Sequence, residues 1–232
     1  EKICAWTTHT GRARSGRGRE AQLAVQQNAA PGLAGCADLE ALRNAARGRT
    51  LDALELHAAA ETIARAGGLR AWSTGRTDRA ALHTWIQAAP WPQDLMDSIK
   101  GAIETRGRVR DEAHPGLARV RAELSDLVEK HRRRLDQVAD DWHLRGVLRQ
   151  RAPVRRGERM VLACRSNGLP RDYGIVHDRS QSGDTLFVEP GPVVELANRA
   201  EEARLREKRL ENEVLHRLTT ELLRAGDRLA KV

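Results

Sequence analysis

The stretch PGLARVRAELSDLVEKHRRRLDQVADDWHLRGVLR, residues 115–149, decides the fold class. Its apolar residues recur every three or four positions, which is the spacing of one face of an α-helix. A helix over the whole stretch would be roughly 50 Å long, which exceeds an ordinary globular helix. We therefore predict a protruding helix or one arm of a coiled coil in a mainly α-helical chain. The repeat is carried by Leu117, Val120, Leu124, Leu127, His131, Leu135, Val138 and Trp142.

A second long helix is predicted after Pro192. Leucine, alanine and valine recur there at compatible spacing up to Leu229, with many glutamates and arginines between them. The two predicted helices, within residues 109–150 and 191–232, have similar lengths. That similarity favours antiparallel packing of one against the other.

The segment between the helices, residues 151–190, has the signals of a small β element. RMVLAC, YGIVHD and DTLFVEP have the composition of short strands, and the turn sequences SNGLP and RSQSG separate them. We predict that this β element caps the pair of long helices.

Residues 1–108 predict a core of short packed helices. Amphipathic stretches at 38–46, 51–66 and 79–88 alternate with glycine, threonine and proline. Asp38 and Thr77 precede two of these stretches and are suitable N-caps. Gly67 and Gly68 follow another stretch and predict its end.

The charge of the chain is strongly positive and is carried by arginine. Lys+Arg number 40 against 32 Asp+Glu, a formal net charge of +8, and aromatic residues make up only 3%. Arginine suits phosphate recognition, although a GC-rich genome explains scattered arginines better. The cysteines, Cys4, Cys36 and Cys164, have no disulfide or metal spacing, which favours a reducing compartment. No membrane span or signal peptide is predicted, so we expect a cytoplasmic protein.

Basic residues concentrate in residues 145–179, where nine arginines and three carboxylates give a local net charge of +6. Serines, an asparagine and glycines in the intervening turns add donors for phosphate oxygens. The alternative is a solvated arginine-rich surface around a small sheet. The predicted nucleic-acid-binding residues are Arg151, Arg155, Arg156, Arg159, Arg165, Ser166, Asn167, Arg171, His177, Arg179, Ser180 and Ser182.

Catalytic chemistry is poorly supported by the sequence. His177, Asp178, Ser180 and Ser182 resemble a hydrolase relay in composition, but neighbours on one strand point to alternate faces. No glycine is followed by Lys-Ser or Lys-Thr, so a P-loop is absent from this chain. No metal or other cofactor is predicted, and we expect no enzyme activity from this chain alone.

The segment GIVHDRSQSGDTLFVEP, residues 174–190, closely resembles GIVHDQSASGATLFVEP of the second bacterial MutS paralogue family, with departures at Arg179, Gln181 and Asp184. VRDEAHPGLARVRAEL, residues 109–124, is similar to the family's VRDSASPELRRIRREI, and VVELANRAEE, residues 193–202, continues the similarity. Where the family usually has RNGRYVIPVK, this chain has RGERMVLACR.

The resemblance implies a helical core at 1–108, a first lever helix at 109–150, a clamp at 151–190 and a second lever helix at 191–232. An ATPase domain, which binds ATP and Mg, and commonly an Smr nuclease domain follow in the family. The resemblance implies a homodimer that binds branched or duplex DNA and suppresses homologous recombination, at the nucleoid. The alternative is a dimerisation arm that docks on the ribosome and its rRNA in a factor that splits collided ribosomes.

A nuclease that uses His177 and Asp178 is the third hypothesis.

Overall fold

A computed structural model describes residues 35–74, 80–88, 91–141, 146–170 and 172–229. The helices are α1 (Leu39–Gly48), α2 (Ala53–Ser73), α3 (Ala80–Ala88), α4 (Gln93–Ala102), α5 (Leu117–Ala139) and α6 (Gly191–Leu229), with a 3-10 turn at Asp111–Ala113. The strands are β1 (Val154–Arg156), β2 (Arg159–Arg165), β3 (Gly174–Arg179) and β4 (Thr185–Pro190). The prediction of a mainly α-helical chain with a small β element is confirmed.

The chain divides into two compact units. The first, the core unit, comprises the described residues of Glu1–His114 and Glu211–Val232. The second, the sheet unit, is Pro115–Leu210. Helix α6 contributes residues to both. None of the described helices combines the length and apolarity that a bilayer span requires.

The core unit contains α1 to α4 and the C-terminal part of α6, and one predicted helix end in it is wrong. Asp38 is the N-cap of α1, where its carboxylate accepts from Glu40 N and Ala41 N. Helix α2 does not end at Gly67, however, but continues to Ser73. A Cβ at Gly67 would lie 2.7 Å from a ring carbon of Trp91. Gly67 therefore permits a close approach of the indole inside the helix. Thr77, the other predicted cap, lies outside the described residues.

The sheet unit is organised around one antiparallel sheet in the order β1-β2-β4-β3. The three predicted strands are confirmed as β2, β3 and β4, and β1 is an additional strand. One face of the sheet packs on α5. The residues of that contact are Leu162, Cys164, Leu186 and Val188 from the sheet, with Leu135, Val138 and Ala139 from the helix.

Helix α5 is shorter than predicted. It ends at Ala139, followed by Asp140 as C-cap, rather than near Arg149. Arg149 N instead donates to Ala163 O at 2.8 Å, and Arg165 N donates to Val147 O at 2.7 Å. The backbone at 147–149 therefore pairs with β2, and the helical period in that stretch is overridden by long-range hydrogen bonds.

Inside the sheet unit, α5 and part of α6 pack against each other, although the two helices differ in length, with 23 and 39 residues. Leu127 of α5 is buried against Ala200 and Ala203 of α6. Arg121 Nε binds Glu207 at 2.7 Å. Arg121 is nearer the start of α5 than Leu127, and Glu207 is nearer the end of α6 than Ala203. The contacts run in opposite directions along the two helices, so this part of α6 is antiparallel to α5.

Candidate nucleic-acid interface

The predicted binding residues fall on the sheet and its connections. Arg151 precedes β1, which contains Arg155 and Arg156; β2 contains Arg159 and Arg165, and β3 contains His177 and Arg179. Ser166 and Asn167 follow β2, and Ser180 and Ser182 precede β4. Arg171 lies outside the described residues. The structure divides the described set into groups with different partners.

One group gathers at the end of the sheet where β2 and β3 finish and β4 begins. Arg165 pairs in register with Thr185, and Arg179 pairs with Leu186. Both arginines are exposed, and within the described residues neither forms an ion pair. We call this region the turn edge, and it consists of Arg149, Arg165, Ser166, Asn167, Arg179, Ser180 and Ser182.

The turns at this edge are fixed by backbone hydrogen bonds. Ser166 N donates to Asp184 O at 3.0 Å, and Gly183 N donates to Ser180 O at 2.9 Å. Gly183 has a φ of +77°, a conformation that favours glycine. The Ser180 hydroxyl oxygen accepts from Thr185 N at 3.0 Å and lies 3.4 Å from the Ser182 hydroxyl oxygen.

Arg149 is a member of the turn edge that sequence reasoning did not select. Its Nη2 donates to Asp184 O at 3.3 Å, and its N–H pairs with β2. Because residues 115–149 predict one continuous helix, Arg149 was expected on that helix. As an arginine in a basic stretch, Arg149 was a candidate for phosphate binding. Its position at the turn edge, however, depends on the pairing of its backbone with β2, which the sequence does not show.

A second group consists of arginines in exposed ion pairs. Arg151 binds Asp140 at 2.6 Å, and Arg155 binds Glu158 at 2.7 Å. Arg156 lies 3.5 Å from Asp178. Exposed pairs of this kind contribute about 1 kcal/mol or less, so a phosphate can compete for these arginines.

The remaining residues, Arg159 and His177, are bound to a buried carboxylate. The Glu189 side chain is only 1% exposed, and it lies 3.1 Å from Arg159 Nη1 and 2.6 Å from His177 Nε2. Arg159 Nη2 also donates to Asn198 Oδ1 of α6 at 2.8 Å. A buried carboxylate requires such partners. The geometry therefore gives Arg159 and His177 a structural role.

His131 of α5 is a buried histidine that interacts electrostatically with Glu189 and Arg159. The residue is 8% exposed, and its Nε2 has no hydrogen-bond partner in the described part of the chain. Burial lowers the pKa of His131. The Glu189 carboxylate opposes that shift, whereas the guanidinium groups of Arg159 and Arg204 reinforce it. His131 therefore favours the neutral form.

The hydrolase relay is not assembled among the described residues. His177 binds Glu189, while Ser180 accepts from the backbone of Thr185 and lies 3.4 Å from Ser182. The described residues also contain no cluster of three His, Cys, Asp or Glu side chains arranged for a metal ion. Burial raises the pKa of the Cys164 thiol to about 11, which disfavours a reactive thiolate.

Several curated relatives of the chain carry the same name. This chain is 32% identical over 190 residues to the endonuclease MutS2 of a Synechocystis strain, a match that covers 82% of this chain and 23% of the relative. The endonuclease MutS2 of an Anaeromyxobacter strain is 33% identical over 205 residues, 86% of this chain and 25% of the relative. That of Thermus thermophilus is 35% identical over 128 residues, 55% and 17% respectively. No family model matches the chain.

Proposed function

Because this chain belongs to the MutS2 family and spans about a quarter of the length of the relatives it matches, we propose that it is a nucleic-acid-binding segment of such a protein. In this proposal the sheet unit contacts the phosphate backbone of branched or duplex DNA without reading its sequence. The whole protein acts as a homodimer that restrains homologous recombination. ATP binding and the cleavage reactions belong to other segments of the whole protein, whereas this chain supplies nucleic-acid binding.

The observation that carries the proposal is the unpaired charge of the turn edge. Arg165 and Arg179 are exposed without carboxylate partners among the described residues, on either side of the start of β4. Hydroxyl, amide and backbone donors of two turns lie beside them. Arginine and turn donors of this kind bind phosphate oxygens, which carry no sequence information.

Three exposed arginines, Arg151, Arg155 and Arg156, extend the basic surface. Arg151 and Arg155 must each exchange a carboxylate for a phosphate, so each contributes less to affinity than an arginine without a partner. Arg159 and His177 are excluded from our proposed contact set because removing them from Glu189 would leave a buried charge unpaired.

The test is binding of the chain to a four-way DNA junction and a linear duplex over a salt series. The double variant Arg165→Ala with Arg179→Ala should bind both more weakly. Its plot of log affinity against log salt should be flatter by about two, since each lost phosphate contact removes roughly 0.9 from the slope.

The matched control is Arg132→Ala with Arg133→Ala, which removes the same charge from α5, where both arginines bind Glu129 at 3.0 and 2.8 Å. We expect this control to keep the wild-type slope. Equal losses in the two double variants would show that net charge alone drives binding. If the chain bound purified ribosomes but neither DNA, the proposal would give way to ribosome docking.

A further inference from the structure

One arginine of the sheet unit is held against an aromatic ring. Arg156 Cζ lies 3.9 Å from the centroid of the Phe187 ring. Phe187 is itself buried in a small apolar cluster with Val161 and Ala163, against which Val154 packs. The guanidinium therefore has a backing that is fixed by the sheet, whereas a surface arginine is ordinarily free to move.

The outer side of this guanidinium remains accessible. The Arg156 side chain is 43% exposed although Phe187 covers part of it, and its ion pair with Asp178 at 3.5 Å is exposed as well. Cation–π contact and a weak ion pair together hold the group in place without enclosing it. A flat, cationic surface is thus presented to solvent.

We propose that the Arg156 guanidinium, backed by Phe187, is a stacking platform for one unpaired nucleobase. Guanidinium planes accept bases by stacking and cation–π contact, and this contact tolerates any base. Bases within a duplex already stack on both faces, so an unpaired base at a bulge or branch is the ligand that fits. The inference rests on the proposed function, and it defines which nucleic acids that surface prefers.

The position of the platform relative to the turn edge suits a single nucleotide. Ala163 pairs in register with Phe187, and Arg165 pairs with Thr185. Because side chains alternate along strands, Arg165 and Phe187 are on the same face of the sheet. They are diagonal neighbours on adjacent strands, about 7–8 Å apart. A nucleotide whose phosphate binds Arg165 can therefore place its base over Arg156.

The experiment compares two duplexes that differ only in one base. One carries a single bulged adenosine, and the other carries an abasic site at the same bulge, so the backbone and its bend are matched. We expect the wild-type chain to bind the bulged adenosine at least roughly fivefold more tightly, which is the lower range for one stacked base. Arg156→Lys keeps the charge but removes the plane, so its ratio should fall to about one.

Arg155→Lys is the matched control, because Arg155 is the exposed neighbour on the same strand and has no aromatic backing among the described residues. Its ratio should stay at the wild-type value. A ratio near one for the wild-type chain, or an undiminished ratio for Arg156→Lys, would overturn the platform while leaving duplex binding intact. Failure of the wild-type chain to bind any of these duplexes would overturn the proposed function, and the platform with it.

Discussion

At the residue scale, the partners of an arginine decide what it can bind. Arg159 and Arg165 are the first and last residues of β2. Arg159 nevertheless binds the buried Glu189, while Arg165 is exposed without an ion pair in the described part of the chain. The basic set was predictable from composition. The division of this set into arginines with and without a buried partner was not predictable. Glu189 is thirty residues from Arg159 in the sequence, and the pairing of the strands brings the two side chains into contact.

The buried His131 makes the stability of the protein depend on pH, and the direction of its pKa shift sets the sign of that dependence. Since burial lowers the pKa of His131 in the folded state, the unfolded chain takes up this proton more readily, near pH 6.5. The stability associated with neutral His131 is therefore present above about pH 6.5 and decreases as the pH falls toward the lowered pKa. We expect His131→Leu to lose less stability than wild type between pH 7 and pH 5.

The measurement is denaturant unfolding of both chains at the two pH values. A comparison of the two chains is needed because other ionisable groups also contribute to the pH dependence of stability, whereas the difference between the chains isolates His131, whose pKa the Glu189 carboxylate acts to raise. An identical pH response of wild type and variant would mean that His131 takes up its proton without cost in the folded protein.

At the element scale, local pattern predicted most helices and strands, and the exceptions include a short strand and two helix ends. The strand β1, Val154–Arg156, was missed because three residues are too few for an alternating pattern. Helix α5 was predicted too long because residues 147–149 pair with β2, which a local period cannot show. Gly67 and Gly68 predicted a helix end, yet the approach of Trp91 explains the first glycine.

Helix α2 offers a paired test of that explanation. Gly67→Ala should destabilise the protein by about 1–3 kcal/mol, because its Cβ would lie 2.7 and 2.9 Å from ring carbons of Trp91. Gly68→Ala has nothing within 4 Å of the added Cβ, so it should stabilise the protein by up to about 1 kcal/mol through helix propensity. Thermal unfolding of both variants measures the difference. Equal stabilisation by the two alanines would refute the close packing of Gly67 on Trp91.

At the scale of the whole molecule, the sequence predicted a mainly helical chain with a small sheet and identified its family. The resemblance in residues 174–190 was specific enough for this because it combines turn and strand residues in a fixed order. The predicted division into 1–108, 109–150, 151–190 and 191–232 remains a prediction. The structure groups residues into two units, of which the sheet unit contains the whole candidate interface.

The most direct measurement of the central claim is equilibrium binding of the wild-type chain to two linear duplexes of equal length and unrelated sequence, from low to high salt. Binding through phosphates predicts the same affinity for both duplexes and a linear decrease of log affinity with log salt. Affinity that is insensitive to salt, or that differs strongly between the two sequences, would contradict a backbone-binding sheet unit.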